Sequence, residues 1–177
     1  MFNQEVILTS DECQSIIDMN RGFSRSGVAS LHNTYENSYR TSSESLTKTT
    51  DGIRLLLLPK LSKYNIISLP NYFNILKYDI GQEFKKHRDI GNGIKDSNKR
   101  YKTLIIQLSN FDDYEGGDLI VWSNDEVTKT VCDKKIGNMI LFPSKLLHQA
   151  KPVVSGTRYV MIFFLTNNHF NIRKTLT

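Results

Sequence analysis

From residue 72 the chain breaks into short apolar runs separated by turn residues, and that texture limits its fold more than any other feature. Tyr72 to Ile80, Lys102 to Leu108, Asp118 to Trp122, Val127 to Val131, Ile136 to Phe142 and Arg158 to Leu165 are each rich in β-branched, aromatic or aliphatic residues. Gly, Pro, Asn or Asp bounds each run, so each reads as a strand. Six strands spaced by turns predict a sandwich or barrel rather than alternating β-α units. Two helices precede this body. Thr9, Ser10 or Asp11 can cap the first, which runs to Met19 with Cys13, Ile16 and Ile17 on one face. Ile53, Leu57 and Leu61 recur every fourth position and place the second over residues 51–64, where Pro59 can bend it or shift its start. Residues 20–50 carry few large aliphatics and many Ser, Thr and Asn, and read as a long polar excursion. The expected class is mainly β with N-terminal helices.

A chain of 177 residues suits a single domain over residues 1–177. No apolar run approaches the roughly 20 residues that span a bilayer, and Leu55 to Leu58 ends at Pro59. Met1 to Glu5 lacks the basic start and apolar core of a signal peptide. Cys13 and Cys132 form neither a CxxC pair nor a disulfide framework. These features lead to the expectation of a cytoplasmic protein with no membrane segment. Lys and Arg number 23 against 18 Asp and Glu, a net charge of +5 that permits nucleic acid or anionic ligands and specifies neither. The densest positive stretch, Lys95 to Lys102, reads as a solvated loop.

Four histidines exist, and one stands two residues before a carboxylate: His87 and Asp89. In extended backbone such residues project to one side and can face one ion. A third ligand must come from a distant strand, and His148 is the candidate, 61 residues on. Two imidazoles and one carboxylate occupy one face of an octahedron and leave three positions open. That suits ferrous iron that must take a chelating cosubstrate and oxygen together. An HxD spacing also arises by chance, so a surface reading competes with it. Arg158 stands ten residues after His148. Its guanidinium is a natural carboxylate partner, and the bland alternative is a strand-edge charge.

These residues bring the chain to a known family. It resembles the iron(II)- and 2-oxoglutarate-dependent dioxygenases, specifically the prolyl 4-hydroxylase-like branch, from about residue 9 to 166. Tyr78 to Asp89 looks like the family's YxxGxxF/YxxHxD block, and Glu115-Gly116-Gly117-Asp118-Leu119 is similar to its GGE/GGD turn. Arg40-Thr41-Ser42 matches upstream, Arg100-Tyr101-Lys102-Thr103 leads into a strand, and the H…PV..G.R pattern runs from His148 to Arg158. The resemblance implies a double-stranded β-helix (jelly-roll) barrel with iron held by His87, Asp89 and His148. It implies 2-oxoglutarate paired through its distal carboxylate with Arg158, in a pocket lined by Tyr78 and with Gln107 nearby. Arg100 matches an arginine implicated in holding substrate. The cofactor set is Fe(II), 2-oxoglutarate and O2, with ascorbate as an optional addition. The expected reaction is hydroxylation of a C–H bond, with a peptidyl proline in a protein or peptide partner as substrate.

Several positions depart from the family pattern. Phe84 and Gln107 stand where prolyl hydroxylases often carry tyrosine, and Tyr159 and Phe164 where tryptophan is common. These changes leave metal and cosubstrate binding intact and put the prolyl substrate in question. A free amino acid or small metabolite, a non-catalytic jelly-roll binding protein and a zinc hydrolase stay open as alternatives. Nucleic acid ranks low, because no stacking platform is visible. His32 and His169 read as solvated side chains, Trp122 as core or barrel rim, and both cysteines as inert. Residues 23–50 and 90–99 are expected to act as lids.

Overall fold

The computed structural model describes residues 2–20, 22–25, 39–91 and 97–171. In chain order these form β1 (Asn3–Val6), α1 (Ser10–Asp18), β2 (Ser24–Arg25), β3 (Ser43–Lys48), α2 (Asp51–Leu61), β4 (Tyr72–Tyr78) and β5 (Phe84–His87). The remaining strands are β6 (Arg100–Gln107), β7 (Tyr114–Gly116), β8 (Leu119–Trp122), β9 (Lys129–Val131), β10 (Asn138–Pro143), β11 (His148–Ala150), β12 (Val153–Gly156) and β13 (Arg158–Thr166). A seven-stranded sheet runs β1-β10-β6-β13-β4-β3-β2, a four-stranded sheet runs β5-β11-β8-β9, and β12 pairs with β7. Every strand pair is antiparallel. The two larger sheets pack together as a jelly-roll barrel, as expected.

Period-two alternation on the large sheet separates two cores. Phe73 and Ile75 of β4, Leu104 and Ile106 of β6, Met139 and Leu141 of β10, and Met161 and Phe163 of β13 pack with α1 and α2. Their neighbours Leu76, Tyr78, Ile105, Ile140, Phe142 and Val160 point the other way, into the barrel. Leu57 and Leu61 of α2 are fully buried on the helix side, and each such side chain contributes about 2 kcal/mol. The helices thus close one face of the sheet and leave the other to line a cavity.

Helix α1 starts as the sequence indicates. Thr9 accepts a hydrogen bond from the Glu12 amide, and the Glu12 carboxylate accepts one from the Thr9 amide at 2.8 Å. Helix α2 stops earlier than expected. Pro59 lies in its last turn, residues Ser62–Tyr64 form a 3-10 turn, and Asn65 takes a left-handed conformation (φ 61°) that ends it.

The expected polar excursion over residues 20–50 is corrected in its second half, where β3 pairs with β4 along its whole length. Its sequence, Ser-Glu-Ser-Leu-Thr-Lys, holds one aliphatic residue. The backbone ladder with β4, not an apolar pattern, makes it a strand. His32 and the centres of both expected lids, residues 26–38 and 92–96, lie outside the described residues.

Candidate active site

The barrel interior opens into a cavity that connects with solvent. His87, Asp89, His148, Arg158 and Tyr78 line it, together with Arg40, Phe84, Thr103 and Phe164. His87 ends β5, His148 begins β11, and the strand register sets the two opposite each other. Asp89 lies just beyond β5, where its amide donates to the Ser144 carbonyl at 3.0 Å. One ligand atom from each of these three residues falls within 4.8 Å of the other two, an arrangement able to hold a metal ion.

Hydrogen bonds aim the donor atoms. Nδ1 of His87 lies 2.7 Å from the Lys85 carbonyl, and Nδ1 of His148 lies 3.0 Å from the Leu146 carbonyl. A carbonyl only accepts, so Nδ1 carries the proton and the Nε2 lone pair turns inward. Nε2 of His87 is 3.6 Å from Asp89 Oδ1, and Nε2 of His148 is 3.4 Å from Oδ2. The Thr103 hydroxyl donates to Oδ2 at 2.6 Å.

Burial opposes ionisation of Asp89. The facing His148 and His87 rings, when protonated, and the Thr103 hydroxyl outweigh it and hold the carboxyl below the usual range. Burial pulls His148 down to about 4, which keeps its imidazole neutral and able to ligate.

The wall beside the triad is cationic and aromatic. Arg158 opens β13 opposite Tyr78 in the register and is 3% exposed, with its guanidinium carbon 5.3 Å from the Tyr78 ring centre. Burial raises the Tyr78 pKa and keeps the phenol neutral. Nη2 of Arg158 donates to Gln107 Oε1 at 3.2 Å, while Nε has no partner among the described residues. A buried guanidinium with an unmet donor is a ready anion site.

Phe84 stacks on the His87 ring, and the Arg40 guanidinium lies over the Phe84 ring, 5.1 Å from its centroid. Gln107 and Arg100 do not line the cavity. Gln107 stands behind Arg158. Arg100 donates to the Asp89 carbonyl at 3.0 Å and stacks 3.6 Å over Phe164, which does face the cavity.

Sequence reasoning passed over Ser144 and Tyr114, and it gave Thr103 no role. Thr103 had a signal, being a polar residue at an inward position of β6 beside Ile105. The bland readings divide. Trp122 is buried at the rim, with Lys86 4.4 Å from its ring centre. Burial pushes the Cys13 and Cys132 thiols up to about 11 and about 12. His169 is not simply solvated: its Nδ1 accepts from the Thr166 amide at 2.9 Å.

An open His-Asp-His cluster beside a buried arginine, inside a jelly roll, defines a candidate metal-dependent oxygenase centre. The chain belongs to the 2OG-Fe(II) oxygenase superfamily, whose pattern matches residues 73–166. It is 29% identical over 104 residues to a PKHD-type hydroxylase of Synechococcus sp., covering 59% of this chain and 46% of that protein. It is 35% identical over 103 residues to a PKHD-type hydroxylase of Paraburkholderia phytofirmans, covering 54% and 42%. The chain thus spans less than half the length of these curated relatives.

Among solved structures it resembles a Pseudomonas putida prolyl-4-hydroxylase, with TM-score 0.70, 13% identity and 94% and 92% of the two chains covered. It also resembles a Trichoplax adhaerens prolyl hydroxylase in complex with a hypoxia inducible factor oxygen degradation domain peptide fragment. There the TM-score is 0.71 at 17% identity, over 95% and 84% of the two chains. These likenesses show the jelly-roll fold. Among the described residues no helix is long and apolar enough to cross a membrane.

The family's Fe(II) and 2-oxoglutarate fit the residues present. The donor set is two neutral-capable imidazoles and one carboxylate, and the orphaned Arg158 Nε is a buried donor in want of a carboxylate.

Proposed function

We propose that this chain is an Fe(II)- and 2-oxoglutarate-dependent hydroxylase that acts on a peptidyl proline. The observation that carries this reading is the convergence of His87, Asp89 and His148 within 4.8 Å in a cavity that Arg158 also lines. When bound, Fe(II), 2-oxoglutarate and O2 supply the oxidising power for C–H hydroxylation, with release of succinate and CO2.

The protein's own part is positional. His87 and His148 offer Nε2 because backbone carbonyls hold their Nδ1 protons. Asp89 stays ionised and is steered by Thr103. Arg158 fixes the distal carboxylate of the cosubstrate, and Tyr78 closes the wall beside it. Leu76, Ile105, Val160 and Ile162 keep the cavity apolar and exclude bulk water. The substrate role of Arg100 acts through Phe164, whose ring it backs.

The peptide substrate is supported by the prolyl hydroxylase neighbours, one of which holds a peptide. Two free, buried cysteines support a reducing, cytoplasmic setting. Incubation with proline-containing peptides, Fe(II), ascorbate and 2-oxoglutarate should yield succinate and a peptide heavier by one oxygen atom. Succinate formed without any oxidised peptide, but with an oxidised free amino acid, would move the substrate to small metabolites.

A further inference from the structure

The turn Tyr114-Glu115-Gly116-Gly117 has no part in the metal centre, yet it packs against Arg158. Gln107 and Tyr114 are 1% and 3% exposed, and neither lines the cavity. They form a chain of bonds that ends on the guanidinium: Gln107 Oε1 accepts from Arg158 Nη2 at 3.2 Å, and Gln107 Nε2 donates to the Tyr114 hydroxyl oxygen at 2.7 Å. The direction of this chain is forced. A guanidinium has donors only, so the amide must turn its oxygen to Arg158 and its nitrogen to Tyr114.

Gly117 completes the arrangement from below. At its left-handed φ of 62°, a Cβ would come within 3.0 Å of Arg158 Cδ and 3.2 Å of Tyr114 Cε2. Lys134 lies 4.9 Å from the Tyr114 ring centre and reaches the Gly116 carbonyl at 3.0 Å, pinning the turn from outside.

We propose that Tyr114 and Gln107 are positioning residues that set the orientation of the Arg158 guanidinium, with Gly117 as the seat for its stem, and so select keto acids that carry a distal carboxylate. The pair acts through Arg158 and does not itself touch the cosubstrate. Without the amide oxygen the guanidinium loses the bond to Gln107 that fixes its rotation about its stem. The inference rests on the reading that Arg158 anchors the distal carboxylate, and the test separates the two.

Anaerobic titrations of the Fe(II)-loaded protein would compare 2-oxoglutarate with 2-oxobutyrate, which keeps the chelating keto acid and lacks the distal carboxylate. The readouts are the visible charge-transfer band and calorimetry. Tyr114→Phe and Gln107→Met keep side-chain bulk and remove the bonds. Gln107→Met should weaken 2-oxoglutarate on the order of ten-fold, the weight of one hydrogen bond to a charged group, and Tyr114→Phe by roughly three- to five-fold, the weight of a bond between neutral groups. Binding of 2-oxobutyrate and of Fe(II) should stay at the parent level. Equal weakening of both keto acids would mean general packing damage and would overturn the proposal. A parent-like preference in both variants, with the preference lost in Arg158→Gln, would overturn it while leaving the Arg158 anchor in place. A parent-like preference in Arg158→Gln would overturn the anchor and this inference together.

Discussion

His148 stands directly opposite His87 in the β5–β11 register, and their ring centroids are 4.1 Å apart. Two imidazoles from residues 61 positions apart meet because antiparallel pairing puts opposed side chains on one face. Asp89, two residues past the end of β5, is held by its amide bond to Ser144 and by the Thr103 hydroxyl where it faces both Nε2 atoms. The site is thus a product of register. Slipping either strand by one residue would send its histidine to the far side of the sheet.

The metal should stabilise the fold. Asp89 is a buried carboxylate between two imidazoles, so a divalent cation supplies charge that the fold lacks. Saturating Mn(II), a redox-quiet stand-in, should raise the thermal midpoint, by about 2.7 kcal/mol of stability at a hundred-fold excess over Kd. Asp89→Ala should abolish the rise. Differential scanning fluorimetry under argon reads both, and an equal rise in the variant would place the ion elsewhere.

Thr103→Val should weaken metal binding although Thr103 need not be a ligand. Its hydroxyl donates to Asp89 Oδ2 at 2.6 Å and sits 3.0 Å from Ser144 Oγ. Loss of such a supporting bond costs about 10- to 100-fold in metal affinity. Calorimetry with Mn(II) checks this, and parent-like affinity would show that Asp89 needs no such support.

Gly137→Ala should be among the most damaging single changes on the helix side. At φ 75° a Cβ there would lie 1.9 Å from the Leu8 carbonyl oxygen. That carbonyl cannot move freely, because Ile7 and Leu8 both donate their amides to the Gly137 carbonyl. A loss of about 3 kcal/mol or more is expected by urea denaturation. A loss below about 1 kcal/mol would mean that β1 is not docked as described.

The α1 capping box predicts a pH dependence. Glu12 accepts from the Thr9 amide and from Lys60, and these partners lower its pKa. A group whose pKa falls on folding stabilises the fold fully above its unfolded value of about 4.3, and that contribution disappears as pH falls through the folded value. Glu12→Gln should therefore be less stable than the parent near neutrality, with the gap closing as the solution is acidified to about pH 3. A constant gap across that range would assign the effect to packing instead of charge.

How much of this was legible in the sequence depends on what each residue does. The strands with a buried aliphatic face, such as Leu104-Ile105-Ile106 and Met139-Ile140-Leu141, announce themselves through composition and turn boundaries. β3 does not, since it holds its place by backbone pairing with β4 and exposes Leu46 at 68%. β5 and β11 are four and three residues long, too short for an alternation to register, yet they carry the two histidines that face Asp89. The HxD spacing and Arg158 could be picked out because chemistry restricts which residues serve there. Tyr114 could not, because its role depends on a contact with Gln107 across seven positions that only the folded turn creates.

The central claim is a chelatable ferrous centre at His87, Asp89 and His148. An anaerobic titration of the purified chain with Fe(II), followed by 2-oxoglutarate, tests it most directly. The account predicts a visible metal-to-ligand charge-transfer band that saturates near one equivalent of iron and is absent in Asp89→Ala. Folded protein that gives no band at saturating iron and 2-oxoglutarate, or an undiminished band in Asp89→Ala, would contradict it.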